Sequence, residues 1–171
     1  PVHNKRNHER HFERLDQAVN RTVASSTDVL QVWDCHSRQE VIECFDVDPR
    51  RVIEVPHGNY EPVYGDCKLP DQERAREKFG RGLDAYARVY LYFGLIREYK
   101  QVPELIDVFD QLSGDDECLV VAGNPKSRSI EQAVRDRANG VENVKTDLRY
   151  IPDDEVPMYF AACDFGVFPY R

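Results

Sequence analysis

Residues 87–100 read Ala87-Arg88-Val89-Tyr90-Leu91-Tyr92-Phe93-Gly94-Leu95-Ile96-Arg97-Glu98-Tyr99-Lys100. The β-branched and aromatic run 87–93 predicts a strand, and Gly94 ends it. A run this apolar is buried on both faces, which places it in a parallel sheet covered by helices. The pattern repeats downstream. Leu105, Ile106, Val108 and Phe109 predict a helix over 103–112, and Cys118-Leu119-Val120-Val121-Ala122 a buried strand closed by Gly123. Residues 129–138 predict a helix and 144–150 a short strand. Pro152-Asp153-Asp154-Glu155 opens another helix, and 164–168 is a last strand. Upstream, Phe12, Leu15, Ala18 and Val19 predict a helix over 7–23, and 28–33 a buried strand. Ser37 with Glu40 is a capping-box pattern, so a helix through Val41, Ile42 and Phe45 starts there. Residues 51–55 form the next strand, ended by Pro56-His57-Gly58-Asn59. Pro62, Gly65 and Pro70 mark 61–70 as a linker between modules at 1–60 and 71–171, the second opening with a helix over 71–79. Alternating strands and helices give an α/β fold, βαβ units in a parallel sheet covered by helices.

Composition narrows the function classes. The 171 residues carry 23 Lys+Arg against 31 Asp+Glu, a net charge of −8. Such a chain repels phosphate backbones at long range, so general nucleic-acid and anionic-membrane binding are disfavoured. A local basic site still suffices for one diphosphate. No apolar stretch is long enough to cross a bilayer, and the polar start Pro1-Val2-His3-Asn4-Lys5-Arg6 is no signal peptide. A start at proline and a stop at Arg171 read as a segment of a longer protein. The five cysteines, Cys35, Cys44, Cys67, Cys118 and Cys163, lack metal-knuckle spacing, and Cys118 and Cys163 read as small buried hydrophobes. Free thiols fit the cytoplasm.

Ligands of parallel sheets bind beyond the carboxyl ends of the strands. That directs attention to His57-Gly58-Asn59, 94–100, Gly123-Asn124, 150–153 and Pro169-Tyr170. Gly94 lets backbone approach a ligand closely. Arg97 and Lys100, three apart, share a face if a helical turn begins here. A planar guanidinium and a mobile ammonium suit the two phosphoryl groups of a diphosphate and would stabilise it as a leaving group. On residue types alone they are equally two solvated surface cations. Trp33, Cys35 and His36 read as a strand end beside a helix cap, and His3, His8 and His11 as solvated. The acids Asp153, Asp154 and Glu155 suit a helix N-terminus, and Asp164 is structural. No nucleophile–base–acid set and no P-loop is present.

The segment Phe93-Gly94-Leu95-Ile96-Arg97-Glu98-Tyr99-Lys100 resembles the donor-binding loop of the retaining group 1 glycosyltransferases, which have the GT-B fold. Four other segments follow the family's order. They are 52–59, 119–123, Tyr150-Ile151-Pro152-Asp153-Asp154-Glu155-Val156, and 161–170 with its ending Phe168-Pro169-Tyr170. The resemblance implies two facing Rossmann-like domains. Residues 1–60 would be the C-terminal part of the acceptor-side domain, and 71–171 the first half of the sugar-nucleotide domain. It implies that Arg97 and Lys100 hold the donor diphosphate and that Gly94 lets the loop approach. Tyr150 and Ile151 would form the nucleobase-side turn, touched largely through backbone, and His57, Gly58 and Asn59 the interdomain cleft. No metal or other cofactor is expected, because cationic side chains and a helix N-terminus take that role.

The implied activity is transfer of a hexose from a nucleotide diphosphate-sugar to a glycan, lipid-linked or small-molecule acceptor, with retention. It is expected in the cytoplasm, with membrane association at the inner face left open. The family's pair of glutamates lies just beyond the proline-tyrosine segment, past Arg171, so no catalytic residue is assigned here and the segment by itself is expected to be inactive. Two alternatives stay open at this point: a sugar-nucleotide epimerase of the same fold, and a non-catalytic nucleotide-sugar-binding domain.

Overall fold

The computed structural model describes residues 13–56, 58–59, 61, 69–80 and 82–170. The chain divides after residue 60 into two compact units. In the first, helix α1 (Glu13–Ser26) leads to strand β1 (Leu30–Val32), helix α2 (Cys35–Phe45) and strand β2 (Val52–Glu54). The two strands pair in parallel, Leu30 opposite Val52. Ala24, Leu30, Val32, Val41, Val47 and Val52 form the core, with Ile42 and Phe45 packed against it. The Arg51 guanidinium reaches back to the carbonyls of Ala24 (2.9 Å), Thr27 and Asp28 (3.4 Å), satisfying acceptors at the end of α1.

Three expectations change here. The α2 helix begins at Cys35, two residues before Ser37, because Asp34 is the better cap. Its carboxylate accepts from the Ser37 backbone N–H at 2.7 Å and from the Ser37 hydroxyl at 2.9 Å. The stripe on α1 is not core: Leu15, Val19 and Val23 are exposed, and Phe12 lies outside the described residues. Strand β2 is not covered on both faces either, since Ile53 and Val55 are exposed. Periodicity correctly predicts the helix, but it cannot say whether the apolar stripe meets a partner.

The second unit is regular. Helix α3 (Gln72–Phe79) precedes strand β3 (Arg88–Phe93), and then come α4 (Val102–Leu112), β4 (Glu117–Ala122), α5 (Arg128–Ala138), β5 (Val144–Asp147), α6 (Val156–Ala162) and β6 (Phe165–Gly166). The four strands are parallel in the order β5-β4-β3-β6. The period-2 alternation divides the core between two faces. Val89, Leu91, Cys118, Val120 and Ala122 pack with Ala75 of α3 and Tyr159 and Ala162 of α6. Tyr92, Leu119 and Val121 pack with Ile106 of α4 and Ile130 and Val134 of α5. Each fully buried aliphatic side chain contributes about 1.5–3 kcal/mol. The helix expected at Pro152 starts at Val156 instead, after a turn in which Pro152 O accepts from Glu155 N at 2.9 Å.

Asp164 locks α3 to the sheet. Its carboxylate accepts from Val89 N (2.7 Å), Arg76 (2.6 Å) and Gln72 (2.9 Å), while Arg76 also donates to the carbonyls of Ala162 and Tyr86, both at 3.0 Å. Asp164→Ala leaves the largely buried Arg76 guanidinium without its counter-charge and the Val89 N–H without this acceptor. It should cost about 2–4 kcal/mol, read as a lower urea midpoint at unchanged slope.

Burial pushes the thiols of Cys118 and Cys163 up, to about 11 and about 12, with nearby Asp164 adding to the effect at Cys163. Cys35 and Cys44 are exposed, and Cys67 lies outside the described residues. Thiolate is the reactive form. At pH 8 a disulfide reagent should therefore label Cys35 and Cys44 and spare Cys118 and Cys163 until the protein is unfolded. Peptide mass mapping checks this, and native labelling of Cys118 would contradict it.

Candidate functional site

All four strands of the second unit are parallel, so their carboxyl ends share one edge. The order β5-β4-β3-β6 reverses between β3 and β6, which places the topological switch point at the ends of those two strands. The segment after β3 carries Gly94, Arg97 and Lys100, and the segment after β6 carries Phe168 and Tyr170.

The loop after β3 is firmly held. Gly94 N donates to Ala122 O and Ile96 N to Asn124 O, both at 3.0 Å, and Lys126 N donates back to Ile96 O at 2.9 Å. Ile96 also bridges to Pro125 and is fully buried. The Tyr92 hydroxyl donates to Leu95 O at 3.2 Å, and burial raises its pKa. This anchoring presents Arg97 in extended backbone (φ −132°, ψ 160°) as the cap of a 3-10 turn, Glu98–Lys100. The helical turn supposed from the sequence is thus a tight one, closed by Lys100 N to Arg97 O at 3.0 Å. Arg97 and Lys100 are both half-buried. The Lys100 ammonium lies 4.9 Å from the centroid of the Tyr170 ring.

Gly94 has φ +124°, and the space where its Cβ would stand is open. Gly123, at the end of β4, is the tighter position. A Cβ there would lie 2.7 Å from the Gly94 carbonyl carbon and closer still to its oxygen. In the sequence Gly123 stood out only as a strand end to inspect, with no role of its own. The available signal was a second strand-ending glycine beside the first.

Tyr150 is exposed, whereas the Ile151 side chain is buried in the core beside Tyr159. Ile151 can therefore offer a ligand only backbone. A clasp missed in the sequence holds this turn. The Tyr159 hydroxyl donates to Asp147 at 2.6 Å, and Arg149 donates to Asp147 (3.1 Å), to Tyr150 O (3.4 Å), to the Tyr159 hydroxyl (3.3 Å) and to Glu155. Burial, then the bond to Asp147, pushes the Tyr159 pKa up to about 12. Glu155 thus pairs with an arginine, and Asp153 and Asp154 are exposed. No sequence spacing signals this set, because its members come from β5, the following turn and α6.

His57 lies outside the described residues, and Gly58 and Asn59 are exposed just after β2. Among the described residues, no group of three or more His, Cys, Asp or Glu is placed to hold a metal ion. Among them also, no helix is long and apolar enough to cross a membrane.

No model of a known protein family matches the chain. Over 81 residues, 47% of this chain, it is 30% identical to a GDP-mannose:glycolipid 4-beta-D-mannosyltransferase of Xanthomonas campestris pv. campestris, of which the match covers 23%. Among solved structures, HepE of Anabaena in complex with UDP-glucose superposes with a TM-score of 0.71 at 16% identity, over 92% of this chain and 43% of HepE. The sucrose-phosphate synthase of Thermosynechococcus elongatus gives 0.70 at 16% identity, over 96% of this chain and 40% of that one. WaaG, a glycosyltransferase involved in lipopolysaccharide biosynthesis, gives 0.63 at 23% identity, over 82% of this chain and 38% of WaaG. The chain thus has the α/β fold of the corresponding part of GT-B glycosyltransferases and spans about two fifths of the length of these structures.

Proposed function

We propose that the protein carrying this chain is a group 1 hexosyltransferase, moving a sugar from a nucleotide diphosphate donor to a glycan, lipid-linked or small-molecule acceptor. The observation that carries the reading is the position of Arg97 and Lys100 on a pinned loop at the switch point of a parallel sheet. In this reading the guanidinium and ammonium bind the donor diphosphate and stabilise it as it leaves. In the same reading Gly94 lets the loop approach the diphosphate, and the Tyr150–Ile151 turn meets the base through its backbone. No metal is required, because the two cations carry the charge. Relatives that act on GDP-mannose or hold UDP-glucose support a sugar nucleotide as donor. None of the relatives quoted above is an epimerase. The reaction belongs in the cytoplasm or at the inner face of its membrane.

The test is to supply the full-length protein with labelled UDP-glucose and GDP-mannose and a panel of acceptors. Label should pass to an acceptor with release of the nucleoside diphosphate. Saturable binding without transfer in the whole panel would instead mark a binding domain. Stereochemistry is a separate arm. The resemblance points to retention, whereas the name of the Xanthomonas relative specifies a β-linked product. The one-bond C1–H1 coupling at the anomeric centre of the product, compared with that of the donor, decides between them.

A further inference from the structure

The Lys100 ammonium and the Tyr170 ring come from opposite sides of the switch point, one after β3 and the other after β6. The ammonium stands 4.9 Å from the ring centroid, within cation–π range. The ring is itself held. Tyr170 N donates to Phe168 O at 2.9 Å, which curls the chain back, and the Phe168 ring meets Tyr170 edge-on at 5.9 Å. Tyr99 approaches from the other loop, edge-on at 6.3 Å. Pro169 fixes its own φ between them. Yet Tyr170 is about half exposed, so burial alone does not account for this arrangement.

We infer that Tyr170 is a positioning residue for Lys100, holding the ammonium at the switch point in readiness for the donor diphosphate. This inference rests on the donor-site reading above. A free lysine side chain spreads over many rotamers and must be ordered when an anion binds. A ring face on one side of the ammonium limits that spread and leaves N–H groups for an anion on the other. The ring is apolar and uncharged, so it does not neutralise the cation as a carboxylate would. Tyr170 therefore acts through Lys100 and needs no contact with the donor.

The experiment is a double-mutant cycle in the full-length protein, with UDP and GDP as probes in calorimetric titrations. Tyr170→Leu should weaken the affinity of whichever nucleotide binds about five-fold, a size typical of a partly exposed cation–π pair. Tyr170→Phe keeps the ring face and should stay within about two-fold of wild type. In a Lys100→Ala background, Tyr170→Leu should have no further effect. Equal losses in both backgrounds would show that Tyr170 only packs the loop and would overturn the inference. No loss in either background would overturn it as well. If Lys100→Ala itself leaves affinity unchanged, the donor-site reading fails and the inference falls with it. Thermal melting of each variant separates weaker binding from unfolding. If Tyr170→Leu does not fold, Tyr170→Phe still tests the inference: affinity within about two-fold of wild type supports it, and a larger loss places the effect in the hydroxyl and overturns it.

Discussion

Gly123→Ala is expected to destabilise residues 61–171 by more than about 4 kcal/mol, a size reserved for backbone clashes and comparable cases. A methyl at this position points into the Gly94 peptide, 2.7 Å from its carbonyl carbon. The obstacle is backbone, so no side chain can swing away. Nor can the strand ends separate cheaply, because Gly94 N is bonded to Ala122 O and Gly123 N to Asp147 O, at 3.0 and 2.9 Å. The φ of +146° adds strain for any L-residue with a side chain. Gly94→Ala provides the contrast. It meets open space, so only its φ of +124° counts, at about 1–3 kcal/mol. Chemical denaturation of the two variants checks the order. Equal, small losses would mean that the strand ends can part without cost.

The second large effect is on transfer. Arg97→Ala in the full-length protein should lower kcat/KM for the sugar nucleotide about 10²- to 10³-fold, the usual cost of removing a donor that stabilises developing charge. Lysine at 97 should restore only part of this, because an ammonium cannot make a forked contact with a phosphoryl group. Melting temperature should scarcely change, since the loop is pinned by Ile96 and by backbone hydrogen bonds. Steady-state kinetics on both variants checks this. Unchanged kinetics would remove Arg97 from the site and leave it a surface cation.

Much of this was legible in residue order because buried parallel strands leave continuous apolar runs. The runs at 87–93 and 118–122 lie within a residue of the observed β3 and β4. The position of Arg97 and Lys100 followed from the glycine that ends β3. Less legible was anything decided by contact across the chain. Leu15 and Val19 have core spacing, yet they are exposed in the first unit. Ser37 with Glu40 suggested a helix start, but the Asp34 carboxylate reached both donors of Ser37 first. The clasp of Asp147, Arg149, Glu155 and Tyr159 closes only once β5 and α6 stand side by side. Likewise, Tyr170 meets Lys100, 70 positions earlier in sequence, only because β6 pairs with β3.

The central claim is that the switch point between β3 and β6 binds a nucleotide diphosphate-sugar through Arg97 and Lys100. Its most direct test is a calorimetric titration of the full-length protein with UDP-glucose and GDP-mannose, repeated on Arg97→Ala and Lys100→Ala. The account predicts saturable binding of at least one donor to the wild type, weakened about ten-fold or more by each substitution. Donor binding of unchanged affinity in both variants, or no binding by the wild type, would contradict it.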